Sequence, residues 1–175
     1  MNKELFVLPL EEIKMFGREN LTYGSLTDQG IRTMVKKIQK YSGENIFGFD
    51  LGCGDGELIF HLAENIPNSV WEGVEISNSR VSMQKRDVCI WAGDMMDENF
   101  RPYNILHADN LCLSEISADK LEEKIAIEFQ GIYITYRYPQ NINFFRAAEF
   151  LEKVLVETTW AKHYIYFFKL TKDRP

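Results

Sequence analysis

The sequence predicts an α/β protein: a mostly parallel sheet wound by helices on both faces, with a reversed strand near its end. Three observations predict it. First, the apolar run 46–51 leads through Gly52-Cys53-Gly54-Asp55-Gly56 into a helix-like run, 58–63, which is strand, glycine turn, helix. Second, strand-like and helix-like runs alternate from there to residue 150. Such alternation requires parallel crossovers and a sheet covered on both faces. Third, the runs 154–158 and 164–170 have only the short link 159–163 between them, so they form an antiparallel hairpin at one edge. Seven strands result.

Taken in order, the chain opens with a mixed segment, 1–20, in which Pro9 interrupts an apolar start and 11–16 make a short helical turn. We read 1–45 as an N-terminal cover with one amphipathic helix and 46–175 as the core of a single domain. Ile31, Met34, Val35 and Ile38 recur at helical spacing, which predicts that helix over 27–40, stopped by Ser42-Gly43-Glu44-Asn45. Strand 46–51 and helix 56–65 follow, the helix ending ahead of Pro67. Strand 70–76 leads to a helix over 77–85 with Ser77 as its N-cap. Strands 88–91 and 103–108 end at Gly93-Asp94 and Asp109-Asn110. A helix over 117–129 shows Leu121, Ile125 and Phe129 on one face. Strand 131–136, a short helix 143–150 and the hairpin complete the chain.

Composition narrows the function. At 175 residues, 45% apolar and 13% aromatic, the chain is globular and long enough for a real core. Lys and Arg total 20 against 26 for Asp and Glu, a net charge of −6. That balance argues against gripping nucleic acid with the whole surface, and no run of Lys or Arg exceeds two. It suits a basic partner and also serves solubility. No window approaches the roughly 18 uncharged apolar residues of a membrane span, and residues 1–10 lack the pattern of a signal peptide. Cys53, Cys89 and Cys112 form no CxxC pair, which fits reduced thiols in an intracellular protein. His61, His107 and His163 share no metal-ligand spacing, so no metal is expected.

Ligands of open α/β sheets bind beyond the carboxyl ends of the strands. There the chain sets polar residues after four apolar runs in succession: Asp50 with the glycine turn, Glu75, Asp94-Met95 and Asp109-Asn110. Capping explains any one of them; four together describe a rim. The turn reads GxGxG (Gly52, Gly54, Gly56) rather than the GxGxxG of dinucleotide sites, which disfavours a pyrophosphate. Alternate glycines let a ligand approach the backbone closely. The helix that begins there, with Glu57 at its head, offers N–H groups and a positive dipole end to a carboxylate. Glu75, 19 residues beyond Gly56, suits two ribose hydroxyls. Asp94 suits an adenine amino group, with the Met95 N–H on the ring and Ile76, Met95 and Met96 about the base. Asp50 and the glycine N–H groups then face an amino-acid end. Each of these residues has a natural role if the ligand is an adenosine that carries an amino acid.

The stretches Asp50-Leu51-Gly52-Cys53-Gly54-Asp55-Gly56, Gly73-Val74-Glu75-Ile76 and Gly93-Asp94 are similar to the successive motifs of class I S-adenosylmethionine-dependent methyltransferases, over residues 46–170. The resemblance implies a Rossmann-like, seven-stranded sheet with its last strand reversed. It also implies S-adenosylmethionine as cofactor and S-adenosylhomocysteine as product. A narrower set resembles the catalytic domain of the Dot (disruptor of telomeric silencing) histone lysine methyltransferases. It comprises Tyr23-Gly24 with Ser25-Leu26-Thr27, the run Phe49 to Gly56, Gly73-Val74-Glu75, and Gly93-Asp94-Met95 with Glu98-Asn99-Phe100. By that resemblance Tyr23 and Gly24 help enclose the methionine part of the cofactor. Asp109, Asn110 and Tyr23 line the transfer site, and Asn110 also touches the cofactor. In that family the fourth strand ends in Asn-Asn-Phe; here Asp109-Asn110-Leu111 stands in its place, and the basic segment that grips nucleosomal DNA has no counterpart.

The expected reaction is methyl transfer to a lysine of a core histone or nucleosome, in the nucleus. A dry aromatic channel favours the neutral amine that must attack. Tyr133, Tyr136, Tyr138, Phe144 and Phe145 are its candidate walls, with ordinary packing as the competing explanation. Two alternatives stand beside it: a cytoplasmic methyltransferase of the same fold acting on RNA or a small molecule, and a non-catalytic subunit that binds an adenosine ligand.

Overall fold

A computed structural model describes residues 7–18, 21 and 24–171. Tyr23 lies outside the described residues. The cover contributes α1 (Leu10–Phe16), with no buried residue, and α2 (Asp28–Tyr41). The N-cap of α2 is Thr27, whose hydroxyl accepts from the Gly30 N–H. Seven strands follow: β1 (Ile46–Leu51), β2 (Ser69–Glu75), β3 (Cys89–Ala92), β4 (Ile105–Ala108), β5 (Gly131–Thr135), β6 (Ala148–Glu157) and β7 (Lys162–Leu170). Between them run α3 (Glu57–Asn65), α4 (Asn78–Val81), α5 (Glu115–Glu128) and α6 (Ile142–Ala147).

The strands form one sheet in the order β3-β2-β1-β4-β5-β7-β6. β1 pairs in parallel with β2 and β4, as do β2 with β3 and β4 with β5. β7 is antiparallel to both β5 and β6. The predicted hairpin is present, with its reversed strand set beside β5 and β6 left at the edge. The direction of winding changes between β1 and β4, so a crevice opens there at the carboxyl ends.

Two apolar layers hold the helices to the sheet. Ile31, Met34, Val35 and Ile38 of α2 and Ile59 and Leu62 of α3 pack on one face, with Ile105, Ile134 and Phe167 from the strands. Leu121 and Ile125 of α5 and Phe144 of α6 pack on the other, with Phe49, Leu106, Tyr133 and Phe168. Each such fully buried side chain contributes about 1.5–3 kcal/mol. Strand period two sorts the residues: Phe49 and Leu51 join the α5 side, and Ile46 joins the α2 side.

Two elements differ from the pattern in the sequence. α4 is four residues long instead of spanning 77–85. The Ser82 hydroxyl donates back to the Asn78 carbonyl, and the Gln84 amide donates to the carbonyls of Arg86 and Val88. These side chains compete with the helix for its own partners and turn the chain early. β6 begins at Ala148, where the sequence suggests a helix still in progress. A bulge between Phe150 and Glu152 breaks the alternation that would have marked it as a strand.

Candidate active site at the carboxyl rim

The ends of β1 to β4 open on one pocket with about 930 Å³ of space between its walls, open mouth included. Leu51-Gly52, Glu75-Ile76, Asp94-Met95-Met96 and Asp109 meet there, with Gly24 from the cover and Leu121 from α5. Eight of the site candidates singled out in the sequence are thus brought together: Gly24, Gly52, Glu75, Ile76, Asp94, Met95, Met96 and, at the β4 end, Asp109.

The glycine turn is used differently from its sequence reading. Gly52, at φ +87°, has open space where a side chain would stand, so its backbone is what a ligand can approach. Gly56, at φ +79°, is required by packing instead, since a Cβ there would meet Val88 Cγ2 at 2.7 Å. The N–H groups expected to face the ligand are taken up inside the protein. Gly52 and Cys53 both donate to the Val74 carbonyl, at 2.8 and 3.0 Å, and Gly54 donates to Glu75 Oε2 at 3.0 Å. The end of β2 lies alongside the turn, and its carbonyl and carboxylate collect these donors. Cys53 is a small filler, buried, with its thiol pushed far up by burial and then by the Asp50 and Glu75 charges. Glu57 stands off the pocket wall, within 3.4 Å of His61 and 3.5 Å of Arg86.

Glu75 is nearly closed over by protein, at 3% exposed. Its Oε1 accepts from the Ser77 N–H at 3.0 Å and from the Arg80 guanidinium at 3.4 Å. Burial pushes this carboxyl up, against the Arg80 charge and the backbone donors. A carboxylate has about four acceptor positions, so Oε2, with Gly54 alone on it among the described residues, keeps one for a ligand hydroxyl. Arg80 had no signal in the sequence beyond its place in a helix. It is buried and also donates to the Leu21 carbonyl, tying the cover to Glu75. The cover is pinned again by Glu12, which accepts from the Ser77 hydroxyl at 2.6 Å and from Ser79 N–H and Oγ. Across the pocket, Asp94 Oδ1 accepts from the Met96 N–H at 2.9 Å. Its Oδ2 has no partner among the described residues.

The β1 and β4 ends divide by strand parity. Asp50 is off the pocket wall, on the α2 side of the sheet. Its Oδ1 lies 2.7 Å from His107 Nδ1, and both side chains are buried. The His107 ring meets Tyr136 edge-on at 5.6 Å. Asn110 is buried behind Asp109, its Oδ1 accepting from Thr135 Oγ1 and the Arg137 N–H, each at 2.9 Å. Asp109 reaches the pocket, where its side chain is exposed. Burial pushes its carboxyl up, and the nearby Asp50 charge adds to this against His107 and His163.

The aromatic residues proposed as channel walls do not come together at the pocket, although Tyr133–Phe144, Phe144–Phe145 and Tyr138–Phe145 are in ring contact away from it. Tyr133 and Phe144 are core residues with a T-shaped contact at 5.7 Å. Tyr136 is buried on the opposite face of the sheet, and Tyr138 and Phe145 are part of an exposed cluster. None of the five lines the pocket; packing needs account for their places. Among the described residues, no helix is long and apolar enough to cross a membrane and no group of three or more His, Cys, Asp or Glu is gathered for a metal.

No family model matches the chain, and no curated protein matches it in sequence. Solved structures do share its fold. A candidate S-adenosylmethionine-dependent methyltransferase from Listeria monocytogenes superposes with a TM-score of 0.59 at 12% identity, covering 82% of this chain and 97% of that one. A candidate methyltransferase from Escherichia coli, yhhF, gives 0.62 at 9% identity, covering 83% and 89%. TrmN from Thermus thermophilus gives 0.59 at 10% identity, covering 81% of this chain and 48% of that one. At such identities the likeness is one of fold: the sheet order and reversed β7 are those of the class I, Rossmann-like methyltransferase fold.

Proposed function

We propose that the protein is an S-adenosylmethionine-dependent methyltransferase. The observation that carries the reading is the set of open acceptors and apolar sides on one pocket wall. Glu75 Oε2 would take a ribose hydroxyl and Asp94 Oδ2 the adenine amino group. Ile76, Met95 and Met96 would flank the base, and the bare backbone at Gly52, with Gly24 opposite, would pass the methionine end. The residues present therefore fit this cofactor. When bound, it supplies a methyl group on a sulfonium, open to in-line attack. The chain's own part is positioning. Asp109 is the polar group at the β4 end of the wall, and its burial-raised carboxyl accepts a proton more readily than a surface aspartate. It would hold the acceptor by an N–H or O–H bonded to the carboxylate.

For the acceptor we favour RNA or a small molecule. The lysine reading drew on aromatic walls, and those side chains are committed to packing or stand away from the pocket. A core-histone lysine is the second reading. It is supported by the sequence likeness at Tyr23-Gly24, Gly93-Asp94-Met95 and Asn110, and by the net charge of −6 that suits a basic partner. Incubation with methyl-labelled cofactor and, separately, RNA, a metabolite extract, free histones and nucleosomes tests both. Label in RNA or metabolites is the expected result. Label confined to histones selects the second reading, and cofactor binding with no transfer to any of them would mean a non-catalytic binder.

A further inference from the structure

The sheet face under α5 and α6 is covered at β4 and β5 but bare toward β6. Directly opposed residues of an antiparallel pair share a face. The register sets Phe150 with Phe168, Lys153 with Tyr166, Leu155 with Tyr164 and Glu157 with Lys162. Phe150 is 47% exposed and Tyr164 46%. Tyr138, 43% exposed, touches the rings of Phe150, Tyr166 and Phe168. A contiguous row of half-exposed rings differs from the single apolar residues that any surface carries.

The row carries two lysines, Lys153 and Lys162, and one carboxylate, Glu157. Lys153 and Lys162 stand within the aromatic row, with Lys153 Nζ 4.9 Å from the centroid of the Tyr164 ring. Glu152 belongs to the opposite face, where Lys37, Lys40 and Tyr41 engage it. Glu157, opposite Lys162, accepts from the Thr27 hydroxyl. In a chain of net charge −6, this row presents rings and cations together. The row also ends beside the pocket. β6 runs parallel to β1–β5, so its last residues reach the same rim. Trp160, in the link to β7, backs Gly24 on the pocket wall, where a Cβ would run into its ring.

We propose that this face is a stacking platform for single-stranded nucleic acid, delivering an RNA acceptor to the rim. Rings stack on bases whatever their sequence, and lysines beside them meet phosphates. An apolar partner or a second copy would cover the rings but would have to desolvate the lysines among them. The inference rests on the RNA reading above for its purpose, while the binding itself needs no cofactor, so the two fail separately.

The test is fluorescence anisotropy of the full chain, without cofactor, against a short labelled oligouridine, with duplex RNA of equal length as control. The single strand should bind in preference to the duplex. Tyr164→Leu and Phe150→Leu, which keep apolar bulk but lose the ring, should each weaken it about tenfold. Two phosphate contacts give a log–log salt slope of about −1.4, which Lys153→Gln with Lys162→Gln should bring to about zero. These lysine variants are exposed and keep the test decisive should a ring variant fail to fold. No single-strand binding, or binding indifferent to both ring and lysine changes, overturns the proposal. So does a dimer in sedimentation that Tyr164→Leu dissociates.

Discussion

Asp109 and Asp50 are two aspartates one strand apart whose surroundings give them different work. Asp109 looks into the pocket with its carboxyl raised by burial. A carboxyl raised in the folded state is a stability term present below the ordinary value of 3.8 and lost as pH climbs through the folded one. Asp109→Asn removes that loss. The variant should melt higher than the parent at neutral pH and equally in acid, by calorimetry, while the methyl-transfer rate falls roughly 10–100-fold. Asp50 was read in sequence as facing the ligand because it precedes the glycine turn. Parity along β1 decides otherwise: Leu51 and Phe49 join the α5 face, and Asp50 turns to His107 across the β1–β4 pairing. That partner is 57 residues away and invisible to local reading. Glu75 and Asp94, in contrast, stand where the sequence reading set them, beyond the apolar runs of β2 and β3 and on the pocket wall. Arg80 was not legible, since a buried arginine and a surface one look alike until the helix is docked.

At the scale of elements, the cover and the edge of the sheet are joined by charge. Glu152 of β6 receives Lys37 at 2.8 Å, Lys40 at 3.3 Å and the Tyr41 hydroxyl at 2.7 Å, all from α2. Burial pushes its carboxyl up, but the hydrogen bonds from Lys37, Tyr41 and Lys40 outweigh it and bring the group down to about 2. A lowered carboxyl contributes stability above its ordinary 4.5 and loses it as pH falls toward about 2. Glu152→Gln should therefore cost about 1 kcal/mol at neutral pH, and the difference from the parent should close in acid denaturation across that window. Gly56→Ala tests the turn: positive φ and the Val88 methyl together should cost about 1–3 kcal/mol, measured by urea unfolding. Most elements could be read from periodicity. α4 and β6 could not, because side-chain capture of carbonyls in the first and a bulge in the second erase the period that identifies an element.

For the whole molecule, the order β3-β2-β1-β4-β5-β7-β6 buries β1, β4 and β5 between strands and helices and leaves β3 at an edge. Hydrogen exchange should be slowest in β1, β4 and β5 and fastest, among the parallel strands, in β3, whose four residues are all partly or fully exposed. The fold class was legible because alternation and a closing hairpin admit few topologies. The acceptor was not, because it is chosen by surfaces beyond the rim motifs. The central claim is that this rim seats S-adenosylmethionine, and calorimetric titration of the cofactor into the parent chain and Asp94→Ala tests it most directly. Saturable one-to-one binding that Asp94→Ala weakens roughly 10–100-fold is the predicted result; no binding to the parent, or equal binding to both, would contradict it.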